Sequence, residues 1–141
     1  MNVIKTDIEG VVIIEPRIFP DSRGYFFESY NKEVFDREVT PVDFVQDNES
    51  CSTRGVMRGL HFQCPPYAQA KLVRCVRGRV LDVAVFQYKC DNYYAPQADG
   101  GISIRDTSLG IDWQIDPAEA LLSDKDLRHP VLADFDSPFS L

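Results

Sequence analysis

Arg58-Gly59-Leu60-His61-Phe62-Gln63 is the stretch around which the rest of the chain reads as organised. One imidazole stands between two bulky apolar neighbours in a strand-forming run. Side chains alternate across a strand, so His61 and Gln63 face one way while Leu60 and Phe62 pack the other. An imidazole on such an interior face either satisfies a hydrogen bond or serves as a base shielded from bulk water. Position alone leaves both readings open, and the residues that accompany it elsewhere decide between them.

Downstream, residues 70–76 and 79–85 alternate and meet at Arg77-Gly78, which predicts a two-residue hairpin. In that register Val76 pairs with Arg79, Val73 lies opposite Asp82 and Lys71 opposite Ala84. Lys71 and Asp82 then share a mostly apolar face, either as an ion pair or around a ligand. From Val80 the run continues through Phe86-Gln87-Tyr88-Lys89-Cys90 without a turn residue, long against a typical strand of about five or six residues. Asp99-Gly100-Gly101 reads as a loop, residues 102–104 and 111–113 as short strands around Gly110, and residues 117–122 as a helical turn.

Upstream, residues 42–46 read as a strand running into the polar Asp47-Asn48-Glu49-Ser50, and Thr53-Arg54-Gly55 as a turn. Residues 25–30 form an aromatic strand, entered through the tight turn Asp21-Ser22-Arg23-Gly24. Asn31 caps the one expected helix, over residues 32–37, with Val34 and Phe35 as its apolar anchors. Short strands at regular spacing with little helix predict an all-β sandwich or barrel, as a single domain over residues 1–141.

Composition narrows the function. The chain has 141 residues, 44% of them hydrophobic, which is enough for one core. A net charge of −7 argues against nucleic acid as a partner, while leaving room for an anionic ligand held by local arginines. No apolar run has the length of a membrane span, and Met1-Asn2-Val3-Ile4-Lys5 does not open a signal peptide. Cys51, Cys64, Cys75 and Cys90 lack metal-ligand spacing and read as reduced thiols. With only His61 and His129 available, a metal centre of clustered histidines is not expected. No phosphate-binding glycine loop is present either. The chemistry falls to side chains.

The order of these pieces resembles the dTDP-4-dehydrorhamnose 3,5-epimerase family. The resemblance rests on Asp21-Ser22-Arg23-Gly24-Tyr25-Phe26-Phe27-Glu28-Ser29-Tyr30, Phe44-Val45-Gln46-Asp47-Asn48-Glu49-Ser50 and Arg58-Gly59-Leu60-His61-Phe62-Gln63. Ala68-Gln69-Ala70-Lys71-Leu72-Val73-Arg74-Cys75 and Val80-Leu81-Asp82-Val83-Ala84-Val85 follow in the family's order. Tyr88-Lys89, Asn92-Tyr93-Tyr94-Ala95-Pro96 and Leu122-Ser123-Asp124-Lys125-Asp126 complete it.

The resemblance implies a cupin-type double-stranded β-helix (a jelly roll), a cytoplasmic homodimer, and no metal or cofactor. It implies conversion of dTDP-4-dehydro-6-deoxy-D-glucose to dTDP-4-dehydro-L-rhamnose in dTDP-L-rhamnose biosynthesis. The family removes protons from carbons 3 and 5, each beside the C4 ketone, and returns them to the opposite faces. Its base falls on His61, the paired carboxylate on Asp126, the tyrosine acid on Tyr88 and the lysine near the carbonyl on Lys71. Substrate contacts fall on Arg23, Glu28, Gln46, Asp47, Asn48, Arg58, Asp99 and Lys125, with a stacking aromatic at Tyr94. Strict alternation puts Arg58 and His61 on opposite faces, which a bulge at Gly59 or service to a neighbouring subunit's site would reconcile.

One departure is large. Family members carry a further set of strands between Asp-Val-Ala-Val and the Phe-x-Tyr-Lys segment, with a second active-site histidine. Here Val85 runs directly into Phe86, so roughly forty residues and several central strands are missing. Two rivals to the epimerase stay open. One is a catalytically impaired nucleotide-sugar-binding cupin, and the other a 3-epimerase or ketoisomerase for a related dTDP-4-keto sugar. Retention of His61, Lys71, Tyr88 and Asp126 together favours an enzyme, and Tyr88 favours the double epimerisation.

Overall fold

The computed structural model describes residues 1–78, 84–116 and 118–139. Among them are nine strands, one α-helix and four short 3-10 helices, grouped into two compact units, Met1–Asp43 and Phe44–Leu141.

The first unit holds two antiparallel hairpins and the helix. Strand β1 (Asn2–Lys5) pairs with β2 (Val12–Glu15), and β3 (Ile18–Asp21) with β4 (Gly24–Phe27). The β3–β4 turn forms because the Asp21 carboxylate accepts from the Arg23 amide at 2.8 Å and pairs with its guanidinium at 2.6 Å. The helix α1 (Lys32–Glu38) begins where expected. The Asn31 side chain accepts from the Val34 N–H at 3.1 Å, and Phe35 is buried against Tyr30. The aromatic strand is shorter than expected and stops at Phe27. Glu28 instead accepts from the Asn31 amide at 3.2 Å and so serves the helix cap.

The second unit is built on a three-stranded antiparallel sheet of β5 (Gln46–Ser52), β7 (Lys71–Gly78) and β8 (Ala84–Cys90), in the order β5-β8-β7. A second antiparallel pair joins β6 (His61–Gln63) to β9 (Asp99–Gly101). Its buried apolar residues are small or branched: Ala84, Cys90, Ala95, Ala98, Ile102 and Ile104.

Several segments depart from what their local sequence predicts. Arg77 and Gly78 are not a hairpin turn but the end of β7, opposite Val85 and Ala84. Residues 79–83 lie outside the described residues, and with them the expected partnership of Asp82 with Lys71. Lys71 faces Cys90 and Val73 faces Tyr88, with an irregularity between Cys75 and Arg77. Pairing in this register buries Ala84 and Cys90 at the two ends of β8, a gain that a local turn signal does not register.

The strand expected over residues 42–46 begins only at Gln46 and runs through the polar segment, because β8 offers partners to both faces of it. Residues 58–60 precede the strand that starts at His61. Gly59 takes φ +143°, where a side chain would be strained, and this breaks the alternation between Arg58 and His61.

Asp99-Gly100-Gly101 is a strand rather than a loop. Residues 102–104 and 111–113 are not strands: the Ser103 N–H donates to the Pro130 carbonyl, and the Trp113 indole to the Ile104 carbonyl. Pro117 lies outside the described residues, and the segment after it makes a parallel bridge between Leu121 and Val56.

Strand β8 runs unbroken through the junction noted above. Val85 lies between Cys51 and Arg77, and Phe86 between Ser50 and Cys75. The outer edges of β5 and β7 have no strand partner among the described residues.

Candidate active site

The three-stranded sheet sorts its side chains by alternation. One face carries the rows Gln46–Cys90–Lys71 and Asn48–Tyr88–Val73. The other carries Asp47–Lys89 and Glu49–Gln87–Arg74, a polar ladder with Lys89 to Asp47 at 2.6 Å and the Gln87 amide to Glu49 at 3.0 Å. The first face and the β6–β9 pair border a cavity of about 380 Å³. Its lining includes His61, Lys71 and Tyr88, and also Gln46, Asn48, Tyr94, Asp99 and Lys125.

The rest of the residues expected at a site are placed otherwise. Asp126 lies behind His61. Asp47 points to the opposite face, into its ion pair with Lys89. Arg58 donates from Nε to the Ser52 hydroxyl at 3.0 Å. Arg23 and Glu28 belong to the first unit, in the turn and cap contacts already described.

His61 Nε2 is in direct hydrogen bond with Asp126 Oδ1. The chain returns Asp126 to this point through two anchors. Leu121 exchanges backbone bonds with Gly55 and Met57, and further on the Leu132 N–H donates to the Asp106 carboxylate at 2.6 Å. Asp126 is only 4% exposed. Burial alone would push its carboxyl up. Hydrogen bonds from the Ser123 hydroxyl (2.6 Å to Oδ2) and from His61 outweigh burial and hold it below the ordinary carboxylate value.

A second carboxylate, Asp99, accepts from the Tyr94 hydroxyl at 2.9 Å and from Lys125 Nζ. Again burial acts upward, and the Lys125 and Tyr94 bonds bring the carboxyl below its usual range. The Asp99 bond in turn raises the Tyr94 phenol. Lys71 has no hydrogen bond or ion pair to another of the described residues, which leaves its ammonium to the cavity.

Two residues carry more of the site than the sequence indicated. Gln63, 3% exposed, donates to the carbonyls of Tyr67 (2.7 Å) and Tyr93 (3.2 Å) and accepts from the Ala95 N–H (2.8 Å). It thereby holds the loop that presents Tyr94, which Gln46 fixes again by accepting the Tyr94 N–H at 3.0 Å.

The other is His129, three residues past Asp126. Its ring stands edge-on to His61 with centroids 5.4 Å apart, and its Nδ1 is 3.9 Å from Asp126 Oδ1. The two histidines lie side by side, because the fold closes a separation that spacing along the chain cannot reveal. Burial, and then the charge of His61, push the His129 imidazole below its ordinary 6.5. The available signal was its place one helical turn from a candidate carboxylate.

The family model described as dTDP-4-dehydrorhamnose 3,5-epimerase matches residues 5–86 and 84–134, two pieces that meet at the Val85–Phe86 junction. A dTDP-4-dehydrorhamnose 3,5-epimerase of Shigella flexneri is 41% identical over 180 aligned positions, covering 96% of this chain and 98% of that one. Since 96% of 141 residues is about 135, about 45 of those positions have no counterpart here.

Among solved structures, the Elizabethkingia anophelis NUHP1 enzyme of that name is 35% identical with a TM-score of 0.86, over 95% of this chain and 97% of that one. A dTDP-6-deoxy-D-glucose-3,5-epimerase from Legionella pneumophila Philadelphia 1, in complex with dTDP-4-keto-L-rhamnose, is 29% identical with a TM-score of 0.87, over 99% of both chains. The all-β cupin-type jelly roll is thus retained around a shortened centre. Matched from residue 5 to residue 134 and sharing two-fifths of its aligned residues with a curated relative, the chain belongs to the dTDP-4-dehydrorhamnose 3,5-epimerase family.

Proposed function

We propose that the chain epimerises dTDP-4-dehydro-6-deoxy-D-glucose at carbons 3 and 5, giving dTDP-4-dehydro-L-rhamnose for dTDP-L-rhamnose biosynthesis. The observation that carries this reading is the His61–Asp126 hydrogen bond at the wall of a cavity shared with Lys71 and Tyr88. A hydrogen beside a ketone is acidic because the resulting carbanion delocalises onto the carbonyl oxygen. With Nε2 committed to Asp126, His61 takes that proton at Nδ1, and the carboxylate supports the imidazolium. The Lys71 ammonium stabilises the enolate oxygen, and the Tyr88 phenol protonates the opposite face. Gln46, Asn48, Tyr94, Asp99 and Lys125 orient the sugar and nucleotide. Arg23, Glu28 and Arg58 are assigned to the nucleotide on the resemblance alone. The step conserves oxidation state, so its balance requires no redox cofactor.

We further read the protein as a cytoplasmic homodimer. Phe19 and Phe26 stand exposed opposite one another on one face of the β3–β4 hairpin, and Ile18 and Tyr25 on the other, apolar surface that a partner would cover. No helix among the described residues is long and apolar enough to cross a membrane.

The test is turnover in heavy water, followed by proton NMR of the sugar. Deuterium at both carbons with double inversion is the expected result. Uptake at carbon 3 alone would replace this reading by a 3-epimerase. Binding with no uptake would replace it by a nucleotide-sugar-binding cupin.

A further inference from the structure

We propose that His61, Asp126 and His129 form a binding site for a divalent transition-metal ion of the zinc class, and that its occupation switches the base off. One donor atom from each of the three side chains lies within 4.8 Å of the others, the one such convergence among the described residues. Two imidazoles and a carboxylate are donors that zinc, cobalt and nickel accept.

A second observation points the same way. His129 Nδ1 is the one buried side-chain nitrogen or oxygen among the described residues without a hydrogen-bond partner. Its side chain is 9% exposed and Nδ1 stands 3.9 Å from Asp126 Oδ1. A buried nitrogen that bonds nothing is a cost to the fold, and a metal at this point would remove it.

The backbone fixes the arrangement. Gly101 lies directly opposite His61 in the β6–β9 ladder. A Cβ at Gly101 would press on the His129 ring at Cε1 and Nδ1 and on the Leu60 carbonyl oxygen, closer than atoms approach. Glycine at this position leaves room for both the strand contact with Leu60 and the His129 ring beside His61.

Zinc holds its nitrogen and oxygen ligands at about 2.0–2.2 Å, so two donors on one ion stand roughly 3–4 Å apart. The His129–Asp126 separation already falls in that range. His61 Nε2 and Asp126 Oδ1 are in contact and part slightly as the ion takes the place of the proton between them; that proton passes by way of solvent to His61 Nδ1, so the ring stays neutral. His61, whose side chain is 31% exposed, is the outermost of the three ligands, with the buried Asp126 and His129 behind it. Ser123 keeps Asp126 oriented through Oδ2, in the manner of the outer partners that support metal ligands. Lys125, paired with Asp99, is the nearby positive charge that opposes the ion.

The functional consequence follows from the tautomer. A neutral imidazole bound through Nε2 carries its proton on Nδ1, and so has no lone pair left to accept a proton from carbon. The inhibition therefore rests on the proposed epimerisation, whereas the binding does not.

The binding experiment titrates the purified protein with cobalt chloride and reads the visible d–d bands, in wild type and in His129→Gln and His129→Phe. The expected result is nitrogen–oxygen ligation in wild type, weakened at least roughly tenfold in whichever variant stays folded. Equal affinity in wild type and a folded variant would overturn the site. So would thiolate charge-transfer bands, which place the ion on a cysteine, or no bands at all. In parallel, zinc should suppress deuterium exchange in wild type and a chelator restore it. Exchange that persists with cobalt or zinc bound would overturn the switch. Absence of exchange under every condition would instead count against the epimerase reading, with the spectrum still deciding the site.

Discussion

The imidazole of His61 and the carboxylate of Asp126 are joined by one hydrogen bond although 65 positions separate them in the chain. That bond divides the labour of the dyad: one ring nitrogen is fixed and the other is left for the substrate. His61→Asn should therefore lower deuterium uptake at both carbons by roughly 10²–10⁴-fold. Asp126→Asn should produce a loss of roughly 10²-fold, since the ring then lacks its counter-charge. Undiminished exchange in His61→Asn would remove it from the mechanism.

Tyr88 lies between Asn48 and Val73 on the cavity face of the sheet. Tyr88→Phe keeps the ring and removes the acidic proton. Carbon 3 exchange should persist while the doubly inverted product falls. Parallel loss of both exchanges, measured by NMR, would make Tyr88 a packing residue.

Gln63 makes three hydrogen bonds from a buried position. Gln63→Leu leaves two carbonyls and one N–H unpaired, each costing about 1–3 kcal/mol. Thermal melting should fall by about 10 °C. KM should rise more than kcat drops, because the loop presenting Tyr94 loses its clamp. A melt within a degree or two of wild type would show that water replaces the side chain.

Asp106 ties the segment after Pro130 to the turn at residues 103–109. Its carboxylate accepts from the Ser108 hydroxyl and then from the Leu132 N–H, and these bonds hold it below the ordinary 3.8. A lowered folded-state pKa gives stability that is complete above the unfolded value and lost as pH falls through the folded one. Melting temperature should thus be insensitive to this group above about pH 5 and decline below about pH 4. Asp106→Asn should be less stable at pH 7 and show a shallower acid decline. An unchanged acid limb in the variant would assign that limb to other carboxylates.

The Val85–Phe86 junction bears on stability and turnover together. With about 45 positions of its relatives unfilled, the chain leaves β5 and β7 as open sheet edges. Losing a few hundred Å² of apolar burial costs several kcal/mol at about 25 cal/mol per Å². Whole domains are stable by only about 5–15 kcal/mol. We expect a broad, low-temperature melt, concentration-dependent aggregation, and turnover roughly 10²-fold below the full-length relatives. A cooperative melt with relative-like turnover would show that the absent strands are dispensable.

Much of this was legible in advance for a physical reason. Asn31 announced the helix because a cap acts within three residues, and Asp21 announced its turn in the same way. The cavity residues were legible through the order of motifs along the chain. Pairing was harder to read. The Arg77-Gly78 signal is local, whereas the register of β7 depends on burying Ala84 and Cys90. Polar residues 47–50 carried no strand signal of their own because their partners, on β8, lie some forty positions away. Asp47 and Asn48 are neighbours in sequence yet face opposite sides of the sheet, so a contiguous motif could not tell which enters the cavity. The roles of His129 and Gln63 could not be read in advance because they depend on distances set by other segments.

Both imidazoles of this chain stand in the site, their rings 5.4 Å apart and nearly perpendicular. Every histidine resonance in an NMR spectrum of the protein therefore comes from the site itself. Ring currents make each signal sensitive to the other's tilt, so ligand entry can be followed without an introduced label. The pair is a built-in spectroscopic probe, readable even where no turnover is detected.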